Sequence, residues 1–426
     1  MKVEPSLYSR VRERQVLLKA WRVIKANAER SGNKQSRLDA QQFEENLFAN
    51  IENIQRRLQK KTFKFKPALG VAIPKGKGKV GKRAIIVAPV SDRVVQRAIL
   101  DVLYRHCGSG DLQAALRTPT SVGGVPGRGI GHALALIEKA EEVGARYFIR
   151  SDIRDFFPSF PKANVIEQLR KALDDGDFVD LFESAINVEL SNRAQLGPDA
   201  ELFPLGADGV AQGSPLSVLA GNLLLKDFDA ELNRRDVVCV RYIDDFLILA
   251  KSGKAAGKAL ETGRSILKNL NLEAYDPQSA PHKAEAGPIN GGFDFLGYRV
   301  VRGLNPPSAL AREKLLGKIS EQIAEGKKWV NQSLSDGQPR TKRTQCYIQT
   351  LSQIDDTLRG WAGAFQYSRS VQSFVDLDRR IDEMILSFET WFDRAVHGYE
   401  ADRYRRALGV RLLSDTAPVD LPSVDM

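Results

Sequence analysis

The sequence predicts an α+β protein, and three observations carry that reading. Apolar residues fall at helical spacing near the N-terminus (Phe43, Leu47, Ile51, Ile54, Leu58) and again after Pro306 (Leu315, Ile319, Ile323, then Phe374, Leu377, Ile381, Ile385, Phe388, Phe392). From about residue 145 to 300 the pattern changes to short apolar strands alternating with helices. At 426 residues and 42% hydrophobic, the chain can bury a substantial core and divide into about two or three subdomains.

In chain order, residues 9–30 and 39–60 read as helices, the second starting at Asp39 as its N-cap. A hairpin follows in which Lys75, Lys77, Lys79, Lys82 and Arg83 surround three glycines, then a strand Ala84 to Ala88 and a helix. Such a hairpin leaves cations and backbone N–H groups free to meet phosphates, or is simply a solvated turn. It lacks the GxxxxGK[ST] pattern of a nucleoside-triphosphate P-loop. Further on, Tyr147 to Ile149 is a strand with Asp152 at its end, and Val237 to Ile243 and Phe246 to Ala250 are strands joined at Asp244 and Asp245. The final stretch, SDTAPVDLPSVDM, reads as a disordered acidic tail.

Composition narrows the chemistry. Lys and Arg number 63 against 53 Asp and Glu, a formal +10, which suits either a polyanionic partner or a solvated basic surface. Cys107, Cys239 and Cys346 are widely spaced with no CxxC, and there are only four histidines, so neither a disulfide framework nor a zinc site is expected. Metal chemistry must then rest on oxygen ligands, which suits magnesium, manganese or calcium. No apolar run approaches the ~20 residues that span a bilayer, and MKVEPSLYSR lacks a signal-peptide apolar region. The expected location is the cytoplasm, with no membrane partner.

Two adjacent carboxylates at the tip of an apolar hairpin, with a third acid at the end of another strand, admit two accounts. Asp244 and Asp245 either make a turn or, with Asp152, gather at a sheet edge to hold divalent cations for phosphoryl transfer.

Eight ordered segments favour the second account through a family resemblance. YIDD at 242–245 resembles the YxDD signature of reverse transcriptases, SDIRDFFPSF at 151–160 their first metal-binding motif, and QGSPLSVLAGNLLL at 212–225 their QGxPxS helix entry. IPKGKGKVGKRAIIVAPVSDRVVQRAIL at 73–100 is similar to the fingers segment, and SVGGVPGRGIGHAL at 121–134 to a stretch of the bacterial, group II intron-like branch. HKAEAG at 282–287 and FDFLGYRV at 293–300 resemble the lysine motif and primer grip, and LRGWAGAFQY at 358–367 the start of a maturase thumb.

The resemblance implies a right-hand polymerase fold: an N-terminal helical extension over 1–70, fingers over 71–145, palm over 146–300, helical thumb over 301–412 and the tail over 413–426. It implies an RNA-directed DNA polymerase using two Mg2+ ions, or Mn2+, with Asp152 and Asp244 as principal ligands, Asp245 as third carboxylate and the Ile153 carbonyl completing one shell. Lys75 and Arg83 would meet the triphosphate of the incoming dNTP, and Gln212 and Gly213 would lie beside template base and nucleotide. Phe157 would bar a 2′-hydroxyl, and Lys283 would protonate the leaving pyrophosphate. Departures from the family pattern are Ser217-Val218-Leu219-Ala220 in place of SPLL and Ile243 in place of alanine, and neither removes a ligand. The resemblance points to a stand-alone phage-defence enzyme that copies a structured noncoding RNA from its own locus into cDNA. Intron maturation, a retron or other retroelement, and RNA synthesis on RNA are the alternatives.

Overall fold

The computed structural model describes residues 5–75, 81–106, 108, 110–234, 236–336 and 346–415. The chain divides into two compact units, Met1–Ile289 and Asn290–Met426.

The first unit opens with four helices, Leu7–Val11, Arg14–Arg30, Lys34–Glu45 and Leu47–Gln59. Two sequence expectations are corrected here. The helix expected over 9–30 is interrupted at Arg12 and Glu13, where Glu13 is extended and the second helix starts afresh. Asp39 is not an N-cap: it lies inside a helix already begun at Lys34, whereas a cap must be non-helical. Asn33 fills that role, its side chain accepting from the backbone N–H groups of Gln35 and Ser36. Asp39 instead accepts from the Gln35 side-chain amide at 2.8 Å. Ile51, Ile54 and Leu58 are buried as their spacing requires, with Phe43 and Leu47 at the margin of the core.

Strands β1 (Leu69–Pro74) and β2 (Lys82–Val87) form an antiparallel hairpin, closed by the Lys75 N–H donating to the Gly81 carbonyl at 2.9 Å. Lys77 and Lys79 lie outside the described residues. The helix Val90–His106 then runs through the core, with Val94, Val95, Ala98, Ile99 and Leu103 inaccessible to solvent.

The central sheet has four antiparallel strands, β3 (Tyr147–Asp152), β4 (Val237–Tyr242), β5 (Asp245–Ala250) and β6 (Glu285–Pro288), in the order β4-β5-β3-β6. Every residue of β5 after Asp245 is buried, so this strand reads as a continuous apolar run. Helices Ile130–Glu142 and Gly253–Asn269 pack on the sheet.

The second unit holds a short hairpin, β7 (Phe293–Phe295) and β8 (Tyr298–Val300), and the helices Ala309–Asp336, Tyr347–Ala364, Val371–Val396 and Ala401–Leu408. Leu315, Ile319, Ile323, Leu377, Ile381 and Phe388 form its core, as the helical spacing anticipates. The Tyr298 hydroxyl donates to the Ala364 carbonyl at 2.8 Å, fastening hairpin to helix. Leu413–Asp415 makes one 3-10 turn, and the remainder of the expected tail, 416–426, lies outside the described residues. Among the described residues no helix is long and apolar enough to cross a membrane. Cys239 and Cys346 are interior thiols, and Cys107 lies outside the described residues.

Candidate active site

Register places the acids. Asp152 is the Cα partner of Asp245 at the end of the β3–β5 ladder, and Tyr242 partners Asp245 across β4–β5. Side chains on paired positions share a face, so Arg150, Asp152, Tyr242 and Asp245 stand on one side of the sheet. Ile243 and Asp244 form the two-residue turn between β4 and β5. Ile243 has a φ of 64°, a left-handed conformation that a β-branched residue rarely adopts. The Asp244 carbonyl accepts from the Ile153 N–H at 3.1 Å, which ties the turn to the chain leaving β3.

Lys283 arrives by the same logic. Strand β6 pairs with β3 so that Glu285 faces Arg150, and Lys283 lies two residues before the strand, in the turn that leads into it. The Lys283 ammonium lies 3.6 Å from Asp152 Oδ2 and 5.0 Å from the centre of the Tyr275 ring. Arg150 reaches Glu285 at 3.6 Å.

The charges crowd one another. Burial of the carboxyl, then the neighbouring Asp244 and Asp152, push Asp245 up to about 6, with Arg150 and Lys283 pulling the other way. Burial and the charge of Asp152 also raise Asp244. Asp245 keeps contact with solvent, so burial of its carboxyl is partial and the crowding by Asp244 and Asp152 adds to it. Among the described residues no three His, Cys, Asp or Glu side chains already form a metal-binding group. The fit to a divalent cation is one of donor type: hard oxygen ligands whose excess negative charge is only partly offset by Lys283 and Arg150.

The other sequence-predicted residues fall into a second group around β2. The Ile86 N–H donates to the Gln212 carbonyl at 3.0 Å, and at Gly213, φ 103°, a Cβ would come within 3.3 Å of the Ile86 carbonyl oxygen. Arg83 is exposed on the same strand, and Lys75 is half-buried at the end of the hairpin. Lys82, by contrast, is tied to Asp199 at 2.6 Å. Phe157 is half-buried, edge-on to the fully buried Phe156 at 5.6 Å, and its carbonyl accepts from the Val210 N–H, two residues before Gln212.

Sequence reasoning missed what lies beneath the turn. Arg241 is fully buried and makes a bidentate pair with Asp229, Nε to Oδ1 at 2.6 Å. Its Nη1 donates to the Ile243 carbonyl at 2.9 Å and to Asn222 Oδ1 at 3.1 Å, and its Nη2 to Ser121 Oγ at 3.0 Å. Gly123 lies against the same turn: a Cβ there would come within 2.8 Å of Ile243 Cγ1. The signal was available, because strand alternation puts Arg241 on the face of Cys239, opposite the acids, in an otherwise apolar strand.

Residues 73–300, more than half of the chain, match the family described as reverse transcriptase (RNA-dependent DNA polymerase). The chain is similar to Protein YkfC of Escherichia coli strain K12, 27% identical over 276 residues, covering 55% of this chain and 67% of that protein. It is also similar to an uncharacterized 91 kDa protein in cob intron of Schizosaccharomyces pombe, 28% identical over 182 residues, 42% of this chain and 20% of that one. Among solved structures, a chain of a partial Cas6-RT-Cas1--Cas2 complex matches with a TM-score of 0.36 and 21% identity, over 63% of this chain and 43% of its own. An apo telomerase from Candida tropicalis, truncated from its C-terminal domain, matches with a TM-score of 0.37 and 14% identity, over 56% of this chain and 53% of its own. The chain thus spans about half or less of those solved chains and a fifth of the fission-yeast protein. With the family match running from the β1–β2 hairpin through the paired acids to β8, the chain belongs to the reverse transcriptases, RNA-directed DNA polymerases of the right-hand α+β fold.

Proposed function

We propose that this chain copies a structured noncoding RNA, encoded at its own locus, into DNA, with Asp152, Asp244 and Asp245 as the metal-binding carboxylates. The observation that carries the reading is the pairing of Asp152 with Asp245 at the end of one ladder, with Asp244 beside it in the turn. When bound there, Mg2+ or Mn2+ would make the attacking primer hydroxyl easier to deprotonate and would offset negative charge on the leaving pyrophosphate. Asp152 and Asp244 would be the principal ligands, with the Ile153 carbonyl beside them. Lys283, 3.6 Å from Asp152, would give a proton to pyrophosphate. Arg83 and Lys75 would bind the triphosphate of a dNTP, Gln212 and Gly213 the templating pair, and Phe157 would exclude a 2′-hydroxyl.

The finger, palm and thumb boundaries anticipated from the sequence belong to this reading, as do a cytoplasmic location and a role in antiphage defence. Support for the RNA partner comes from the formal +10 charge and the lysine-rich β1–β2 hairpin. A second reading, intron maturation by an intron-like branch member, is favoured by the similarity to a protein in cob intron. Primer extension on an RNA template by the purified chain, with Mg2+ and dNTPs, tests the chemistry. Infection of cells with and without the locus then separates the two biological roles: defence predicts fewer plaques in its presence, maturation predicts loss of a spliced transcript in its absence.

A further inference from the structure

We propose that Arg241 is a positioning residue for polymerisation: its buried guanidinium, clamped by Asp229, holds the Ile243 carbonyl and thereby the strained turn that presents Asp244 and Asp245. This rests on reading those aspartates as the metal-binding pair.

Arg241 and Asp245 lie on opposite faces of the sheet, so the guanidinium acts from the core side of the hairpin. Each of its five N–H groups is engaged: one at Nε with Asp229, two at Nη1 with Ile243 and Asn222, two at Nη2 with Asp229 and Ser121. The side chains of Arg241 and Asp229 are 1% and 0% exposed. A buried ion pair is weak evidence for stability, since apolar residues of similar volume often serve as well, so its presence here calls for another account.

The turn supplies that account. Ile243 at φ 64° persists only if its surroundings hold it. Two supports converge on it from one segment. Ser121 bonds the guanidinium, and Gly123 leaves the space that Ile243 occupies. The backbone is locked alongside, Arg241 N–H donating to the Thr120 carbonyl and Val122 N–H to the Arg241 carbonyl, both at 2.9 Å. Asp244 follows the held carbonyl directly, so a released turn moves its carboxylate relative to Asp152. A lysine at 241 has three donors on a point charge and cannot span Asp229, Asn222 and the Ile243 carbonyl together.

Two variants test this, Arg241→Lys and the double replacement Arg241→Met with Asp229→Leu, which exchanges the pair for apolar volume. Rapid single-nucleotide incorporation separates the fraction of active sites, read as burst amplitude, from the rate per site. Arg241→Lys should bind primer–template within about threefold of wild type yet incorporate at least about tenfold more slowly per site, with a higher Mg2+ requirement. The double variant should melt no lower than wild type and show the same loss. A merely structural role would lower amplitude alone. A folded double variant with wild-type rate per site and Mg2+ requirement overturns the proposal, whatever becomes of Arg241→Lys. An Asp244→Ala, Asp245→Ala control run alongside is independent of it: activity surviving there refutes the metal-site reading, not the clamp.

Discussion

Asp152 and Asp245 face each other as the last register pair of the β3–β5 ladder, so the sheet holds two carboxylates of different strands at one end. With Asp244 in the adjoining turn, like charge accumulates where folding alone gains nothing from it. Replacing Asp244 and Asp245 together by alanine should therefore leave the melting temperature in EDTA unchanged or higher. The same change should reduce Mg2+-dependent incorporation by at least about a thousandfold, as expected when several kcal/mol of charge stabilisation is lost. Retained synthesis by the purified double variant would refute the site.

The raised pKa of Asp245 has a definite sign in stability. Its carboxyl rises from 3.8 to about 6 on folding, so between those values the folded chain binds more protons than the unfolded one. Stability consequently falls as pH rises through this window, and the penalty is absent below about 4 and complete above about 6. Asp244 contributes in the same direction. In EDTA, Asp245→Asn should melt with wild type at pH 4 and above it at pH 7.5. Thermal scans across pH check this, and a difference that stays constant with pH would contradict it.

How far the sequence foretold this site depends on the kind of relationship involved. The hairpin bearing Asp244 and Asp245 and the strand ending at Asp152 are local apolar patterns, and both occur, though the turn falls one residue earlier than anticipated, at Ile243 and Asp244, leaving Asp245 in the second strand. Their pairing is long-range, and was reached through family resemblance rather than spacing. The N-terminal helix boundaries shifted because capping depends on backbone conformation: Asn33 and Asp39 are both good capping residues, and only the first is non-helical. Arg241 went unremarked because its partners Asp229, Asn222 and Ser121 are scattered along the chain and meet only in the folded core.

Phe156 and Phe157 are neighbours with different burdens. Phe156 is 2% exposed and packs edge-on against Phe160, so Phe156→Ala should cost about 3–5 kcal/mol of stability. Phe157 only borders the core. Phe157→Ala should destabilise much less and should raise ribonucleotide incorporation relative to deoxynucleotide use. Competition between rNTP and dNTP in single-nucleotide assays measures the ratio; unchanged discrimination would return Phe157 to a packing role.

The chain carries ten more formal positive than negative charges and a lysine-rich hairpin, a balance that suits a polyanionic partner. Folded RNA is gripped through phosphates and shape, so binding of any RNA should weaken steeply with salt as counterions are released. A cognate transcript should add contacts that do not depend on counterions. Its advantage over unrelated RNA should therefore persist between low and moderate salt while both affinities fall. Crosslinking in the native locus, followed by sequencing of bound RNA, should then enrich one neighbouring structured transcript as template. A bound population that mirrors total cellular RNA would defeat the noncoding-RNA reading and remove the main support for a defence role, while leaving the polymerase chemistry of Asp152, Asp244 and Asp245 to stand on its own assay.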